Sequence, residues 1–127
     1  TLFPYTTLFR SKIKIAGHDI EVIEKDKEWL HSKGKWGHYN SAKHSMKVVI
    51  ECGDTRTLET VLHETLHGVF DCYGIYTVDD KDVEEEVITL LAKGLTQVIR
   101  DNHHLMATIL CLASQVDIED IKVGGTD

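Results

Sequence analysis

Hydrophobic and polar positions alternate with two distinct periods along this chain. Residues 12–24 read KIKIAGHDIEVIE: Ile13 and Ile15 alternate with lysines, and Ile20 and Val22 alternate with acids. The Ala16-Gly17-His18-Asp19 break between the two runs predicts a β-hairpin. Residues 26–33 suit a short helix with Trp29 and Leu30 facing inward, ended by Gly34. A second hairpin is expected over residues 36–51, with its turn at 40–44 and an apolar, β-branched closing strand MKVVIEC at 46–52.

The period then changes to that of a helix. Leu58, Leu62, Leu66 and Val69 recur at spacings of four, four and three, predicting a long helix over about residues 55–73 with this stripe buried. Asp54 or Thr55 suits its N-terminal cap and Gly74 its end. An acidic loop over 75–81 leads to a second long helix, about 83–102. Val83, Val87, Leu90, Leu91, Leu95 and Val98 form its expected buried side, with Gly94 where another backbone could approach. A short third helix over about 104–114 and an acidic, flexible tail over 116–127 complete the chain. The implied architecture is α+β: a small antiparallel sheet packed on two long helices, closed by a short C-terminal helix.

Residues 1–11, TLFPYTTLFRS, stand apart. They match one reading frame of a common sequencing-adapter oligonucleotide and are expected to be non-native, leaving a single domain over 12–115. Removing Arg10 leaves 13 of the 14 basic residues against 21 acidic ones, a net charge of −8. That balance argues against a general nucleic-acid or anionic-membrane binder. No apolar run approaches the roughly 18 residues of a membrane span. Cys52, Cys72 and Cys111 are odd in number, widely spaced and without a C-x-x-C pair. They read as buried thiols of a reducing compartment, with the cytoplasm as the expected location.

The candidate chemistry lies in VLHETLHG, residues 61–68, which contains H-E-x-x-H. Residues four apart share a helix face, so His63 and His67 can address one ion. Glu64, turned about 100° from His63, can stand beside the metal without ligating it and take a proton from a water there. The bland alternatives are two histidines on an amphipathic helix, or a metal site without catalysis. A catalytic zinc needs a third protein ligand. Glu84, Glu85 and Glu86 open the second long helix. At 100° per residue, Glu84 lies closest to the expected apolar side and is the preferred ligand, with Glu85 in reserve. The alternative for all three is a solvated acidic first turn that complements the helix dipole.

Weaker candidates surround these. His103 and His104 suit a helix C-terminal pair. His18, His31, His38 and His44 are expected in turns or on exposed faces, and Trp29 and Trp36 in packing. Cys72 faces away from the motif on a helix, and Tyr73 or Tyr76 could stabilise an oxyanion.

The run HETLHGVF, the acidic loop and then EEEVITLLAKGLTQVIRDN resemble the short phage-type branch of the ImmA/IrrE-like zinc metallopeptidases. The front end, KIKIAGHDIEV with MKVVIEC and Arg56, is similar in layout, so the resemblance covers most of residues 12–104. It implies a third zinc ligand three residues before a small or branched apolar residue, which Glu84 satisfies with Val87. It departs from the better-studied H-E-x-G-H pattern at Leu66 and lacks their larger C-terminal regions. The resemblance implies a zinc-dependent peptidase of phage or prophage origin that cuts a protein substrate, a transcriptional repressor being the candidate. An extended peptide is expected to bind by strand addition along 46–52. The rival expectation is a phage accessory protein that keeps the fold, and the metal with it or not, and acts by binding a partner.

Overall fold

The computed structural model describes residues 12–50, 53–75 and 81–126, with side chains described as far as residue 115. Residues 1–11, Cys52, Tyr76 and most of the acidic loop lie outside the described residues, as do the side chains of the expected tail. The fold is α+β. Strands β1 (Ile13–Ile15), β2 (His18–Lys25), β3 (Gly37–Asn40) and β4 (Ser45–Val49) form one sheet. The helices are α1 (Lys27–Lys33), α2 (Asp54–Tyr73), α3 (Lys81–Asp101) and α4 (His103–Thr126). Contacts divide the chain into two compact units, residues 1–96 and 97–127.

The first hairpin turns on Ala16 and Gly17 alone, with Ile15 opposite His18. Both turn residues have positive φ, 51° and 82°, as the tightest hairpin connection requires. Asp26 caps α1 by accepting from the Trp29 amide at 3.0 Å, and Gly34 ends it in the left-handed region. Trp29 and Leu30 are half-buried rather than enclosed.

The sheet is mixed rather than wholly antiparallel. Its order is β1-β2-β4-β3, and the central β2–β4 pair is parallel, with Val22 opposite Met46. The chain leaves β2 through α1, runs back along β3 and returns as β4 between them. Periodicity marks strands but does not choose their neighbours. One consequence corrects the sequence expectation: β4 is an inner strand, so residues 46–49 do not offer an edge to a peptide, and residues 51 and 52 lie outside the described residues. The outer strand on that side is β3.

One sheet face carries Ile15, Ile20, Val22, Met46 and Val48, and α2 covers it. The helix does so with an unexpected stripe. Thr57, Thr60, Glu64 and Gly68 are buried, whereas Leu58, Leu62 and Leu66 are only half-buried. Small residues on this stripe allow close approach: a Cβ at Gly68 would come within 2.7 Å of Ile15 Cδ1. Gly53 takes the N-cap position without a side-chain bond, where Asp54 or Thr55 is expected, and Gly74 ends the helix.

Helix α3 is also turned from its expected orientation. Ile88, Ala92 and Thr96 are its buried residues, while Val83, Leu90, Leu91 and Leu95 are exposed. At 100° per residue the buried side is rotated by roughly 120° from the leucine-rich side. Gly94 has open space around it.

The second unit holds the end of α3 and all of α4. Asn102 Nδ2 donates to the Val98 carbonyl at 3.0 Å, closing α3 before His103. His103 and His104 therefore begin α4 instead of ending α3. Helix α4 is longer than the short helix expected, since no proline interrupts the run and its glycines come only at 124 and 125. Cys111 is exposed and Cys72 half-buried, so neither is the fully buried thiol expected. No helix among the described residues is long and apolar enough to cross a membrane.

Candidate metal centre

The rotations of α2 and α3 decide which side chains meet. His63 and His67 stand one turn apart on α2, with ring centroids 5.0 Å apart. Across from them, the first turn of α3 presents Glu84 and Glu85. Glu85 spans the histidine pair: Oε1 lies 2.8 Å from His63 Nε2, and Oε2 lies 2.8 Å from His67 Nε2. Glu84 Oε2 lies 3.1 Å from the other nitrogen of His67, Nδ1. Donor atoms of His63, His67 and Glu85 all fall within 4.8 Å of one another, a separation suited to one ion.

Glu84 would face the histidines if the leucine-rich side of α3 were buried. With Ile88, Ala92 and Thr96 inward, the same helical geometry turns Glu85 to the histidine pair and Glu84 to its flank. A three-residue spacing to an apolar residue does not separate the two, since Glu85 precedes the fully buried Ile88 by three residues just as Glu84 precedes Val87. Glu86 is exposed and makes no described contact with the cluster.

Glu64 sits one step around α2, against the sheet. It is 6% exposed. Gly37 on β3 makes room for it: a Cβ there would meet Glu64 Cγ and Oε2 at 3.0 Å and the Lys47 carbonyl at 2.8 Å. Burial pushes the Glu64 carboxyl up to about 7, with the charge of His67 pulling it down and that of Glu85 pushing it further up. A carboxyl at that level is matched to proton transfer near neutral pH.

All of these groups border one open cleft of about 840 Å³. Its floor is α2, one wall is the outer strand β3 with Gly37, His38 and Tyr39, and the other is the start of α3. Burial and the neighbouring Lys35 and Lys47 charges lower the His38 pKa. Lys35, Arg56, Lys81 and Lys93 also line the cleft, although the chain as a whole is acidic. The Arg56 guanidinium lies 4.9 Å from the Trp36 ring centroid.

No protein-family model, curated protein or solved structure matches this chain.

Several of these residues escaped sequence reasoning. Tyr39 faces α2, and its hydroxyl donates to Asp71 Oδ2 at 2.8 Å. Tyr73, an oxyanion candidate, is 63% exposed and does not line the cleft; Tyr76 lies outside the described residues. The role of Gly37 depends on β3 crossing over Glu64, a contact between residues 27 positions apart that no local pattern encodes. The buried Thr57-Thr60-Glu64-Gly68 series, at spacings of three, four and four, is the one local signal that points Glu64 at the sheet.

Proposed function

We propose that the chain is a zinc-dependent metallopeptidase in which His63, His67 and Glu85 hold the metal and Glu64 is the general base. The observation that carries this reading is the placement of Glu85 across the Nε2 atoms of both H-E-x-x-H histidines, with Glu64 buried beside them. Two imidazoles and one carboxylate form a donor set common to catalytic zinc sites, which keep a further position open. Glu84 has a supporting part. Its carboxylate accepts from His67 Nδ1–H, fixing the tautomer that leaves Nε2 for the metal.

When bound, zinc supplies Lewis acidity towards a carbonyl group and towards water. The chain's own residues do the rest. Glu64 takes the proton of the attacking water and delivers it to the leaving amine. The missing side chain at Gly37 leaves room for its carboxylate beside β3. The outer strand β3 borders the cleft, so an extended substrate can align along it by strand addition, with its scissile bond over the histidines. The resemblance to the ImmA/IrrE-like enzymes supports a regulatory peptidase of phage or prophage type that acts inside the cell on a protein such as a repressor.

The second reading is partner binding without catalysis, and the exposed Leu90, Leu91 and Leu95 of α3 favour it. Glu64→Gln separates the two. The variant is expected to keep its zinc and to lose cleavage of a peptide library followed by mass spectrometry. Wild-type protein that holds zinc at His63 but cleaves nothing that Glu64→Gln spares would favour the binder.

A further inference from the structure

A second group of metal-type donors lies one turn beyond His67, and the proposed peptidase site uses none of them. His44 ends the β3–β4 turn, and Asp71 and Cys72 sit in the last turn of α2. One ligand atom from each lies within 4.8 Å of the others. Their surroundings are ordered around them. The Tyr39 hydroxyl donates to Asp71 Oδ2 at 2.8 Å and lies 3.9 Å from Cys72 Sγ. The His18 ring meets that of His44 edge-on, with centroids 4.8 Å apart. Asp71 and Tyr39 also line the open cleft, so an ion has a route in.

We propose that His44, Asp71 and Cys72, with water as the fourth ligand, form a second zinc site that clips the β3–β4 turn to the end of α2. The donor set selects the metal. One thiolate, one imidazole and one carboxylate suit zinc, whereas calcium and magnesium take oxygen ligands. Binding releases the Cys72 thiol proton and needs neutral His44, so no other reactant is required. Zinc bonds of about 2.0–2.3 Å draw tetrahedral donors to roughly 3.3–3.8 Å of one another, so donors now separated by up to 4.8 Å draw together around the ion. Tyr39 is the outer partner: its hydrogen bond to one Asp71 oxygen orients the carboxylate and leaves the remaining lone pairs for the metal. The clip would fix β3, and with it the wall of the cleft that carries Gly37.

The test is a cobalt(II) titration of the reduced, tag-free chain, followed in the near ultraviolet, where thiolate-to-cobalt charge transfer absorbs. The proposed peptidase site has no sulfur ligand, and Cys52 and Cys111 are replaced by serine throughout, so the band reports the second site alone. The wild type is expected to show the band, and His63→Ala to keep it. Cys72→Ser is expected to abolish it, and Asp71→Asn to weaken cobalt affinity at least tenfold. His44→Gly also removes a ligand, and glycine suits the backbone φ of 47° at that position, so the variant keeps the turn. Loss of the band in His44→Gly, with an unchanged metal-free circular dichroism spectrum, supports the site. A band that survives in Cys72→Ser or in His44→Gly, or no band in the wild type whether or not the His63 site fills, overturns the proposal.

Discussion

Gly37 on β3 and Glu64 on α2 face each other so closely that a Cβ at position 37 would lie 3.0 Å from the Glu64 carboxylate. Glu64, the proposed general base, thus depends for its place on the absence of a side chain on the outer strand. Gly37→Ala has to move Glu64, or shift β3 away from α2. Zinc content is expected to stay unchanged while cleavage falls by about a hundredfold, the cost of a displacement near 1 Å in a reacting group. Unaltered cleavage in this variant would remove Gly37 from the account.

Glu84 and Glu85 separate by the nitrogen that each approaches. Glu85→Ala removes a ligand and is expected to empty the His63–His67 site at micromolar zinc. Glu84→Ala removes only the partner of His67 Nδ1 and is expected to weaken zinc by about 10–100-fold. Competition against a chromophoric chelator gives both values. The reverse order would restore Glu84 as the ligand.

How far this site was legible in the sequence follows from the range of each contact. His63 and His67 share a face through a four-residue spacing, which the helix guarantees wherever it packs. The Ala16-Gly17 turn and the Asp26 and Gly34 ends of α1 are equally local. The choice between Glu84 and Glu85 depends on the rotation of α3, and there the leucine-rich side misled. Ile88, Ala92 and Thr96 pack inward while Leu90, Leu91 and Leu95 stay outside. Gly37 and Tyr39 enter the site through strand order, which periodicity does not encode. The α+β class was legible, but the parallel β2–β4 pair that makes β3 the outer strand was not.

Burial of Glu64 also predicts a pH-dependent stability in metal-free protein. Unfolded, this carboxyl ionises near 4.5; folded, it holds its proton to about 7. Stability is therefore lost as pH rises from 4.5 to about 7 and is level above that, by at most on the order of 3 kcal/mol for this group. Glu64→Gln has no such proton to lose. Urea unfolding in the presence of a chelator is expected to show the variant gaining on the wild type across that window. A difference that stays constant with pH would mean that the carboxyl is not desolvated.

Gly68 tests the packing of α2 on the sheet. An added methyl group meets Ile15 Cδ1 at 2.7 Å and the Tyr39 ring at 3.3 Å. Gly68→Ala is expected to cost about 1–3 kcal/mol in urea unfolding, the usual range for overpacking, offset in part by the better helix propensity of alanine. An equally stable variant would show that α2 stands further from the sheet.

The assignment of His63, His67 and Glu85 as zinc ligands beside Glu64 is decided by elemental analysis of tag-free protein, comparing wild type with His63→Ala, Glu85→Ala and Glu64→Gln. His63→Ala and Glu85→Ala are each expected to contain one zinc fewer per chain than wild type, and Glu64→Gln to match it. Equal zinc in all four folded proteins, or a folded wild type that takes up none when zinc is supplied, would contradict it.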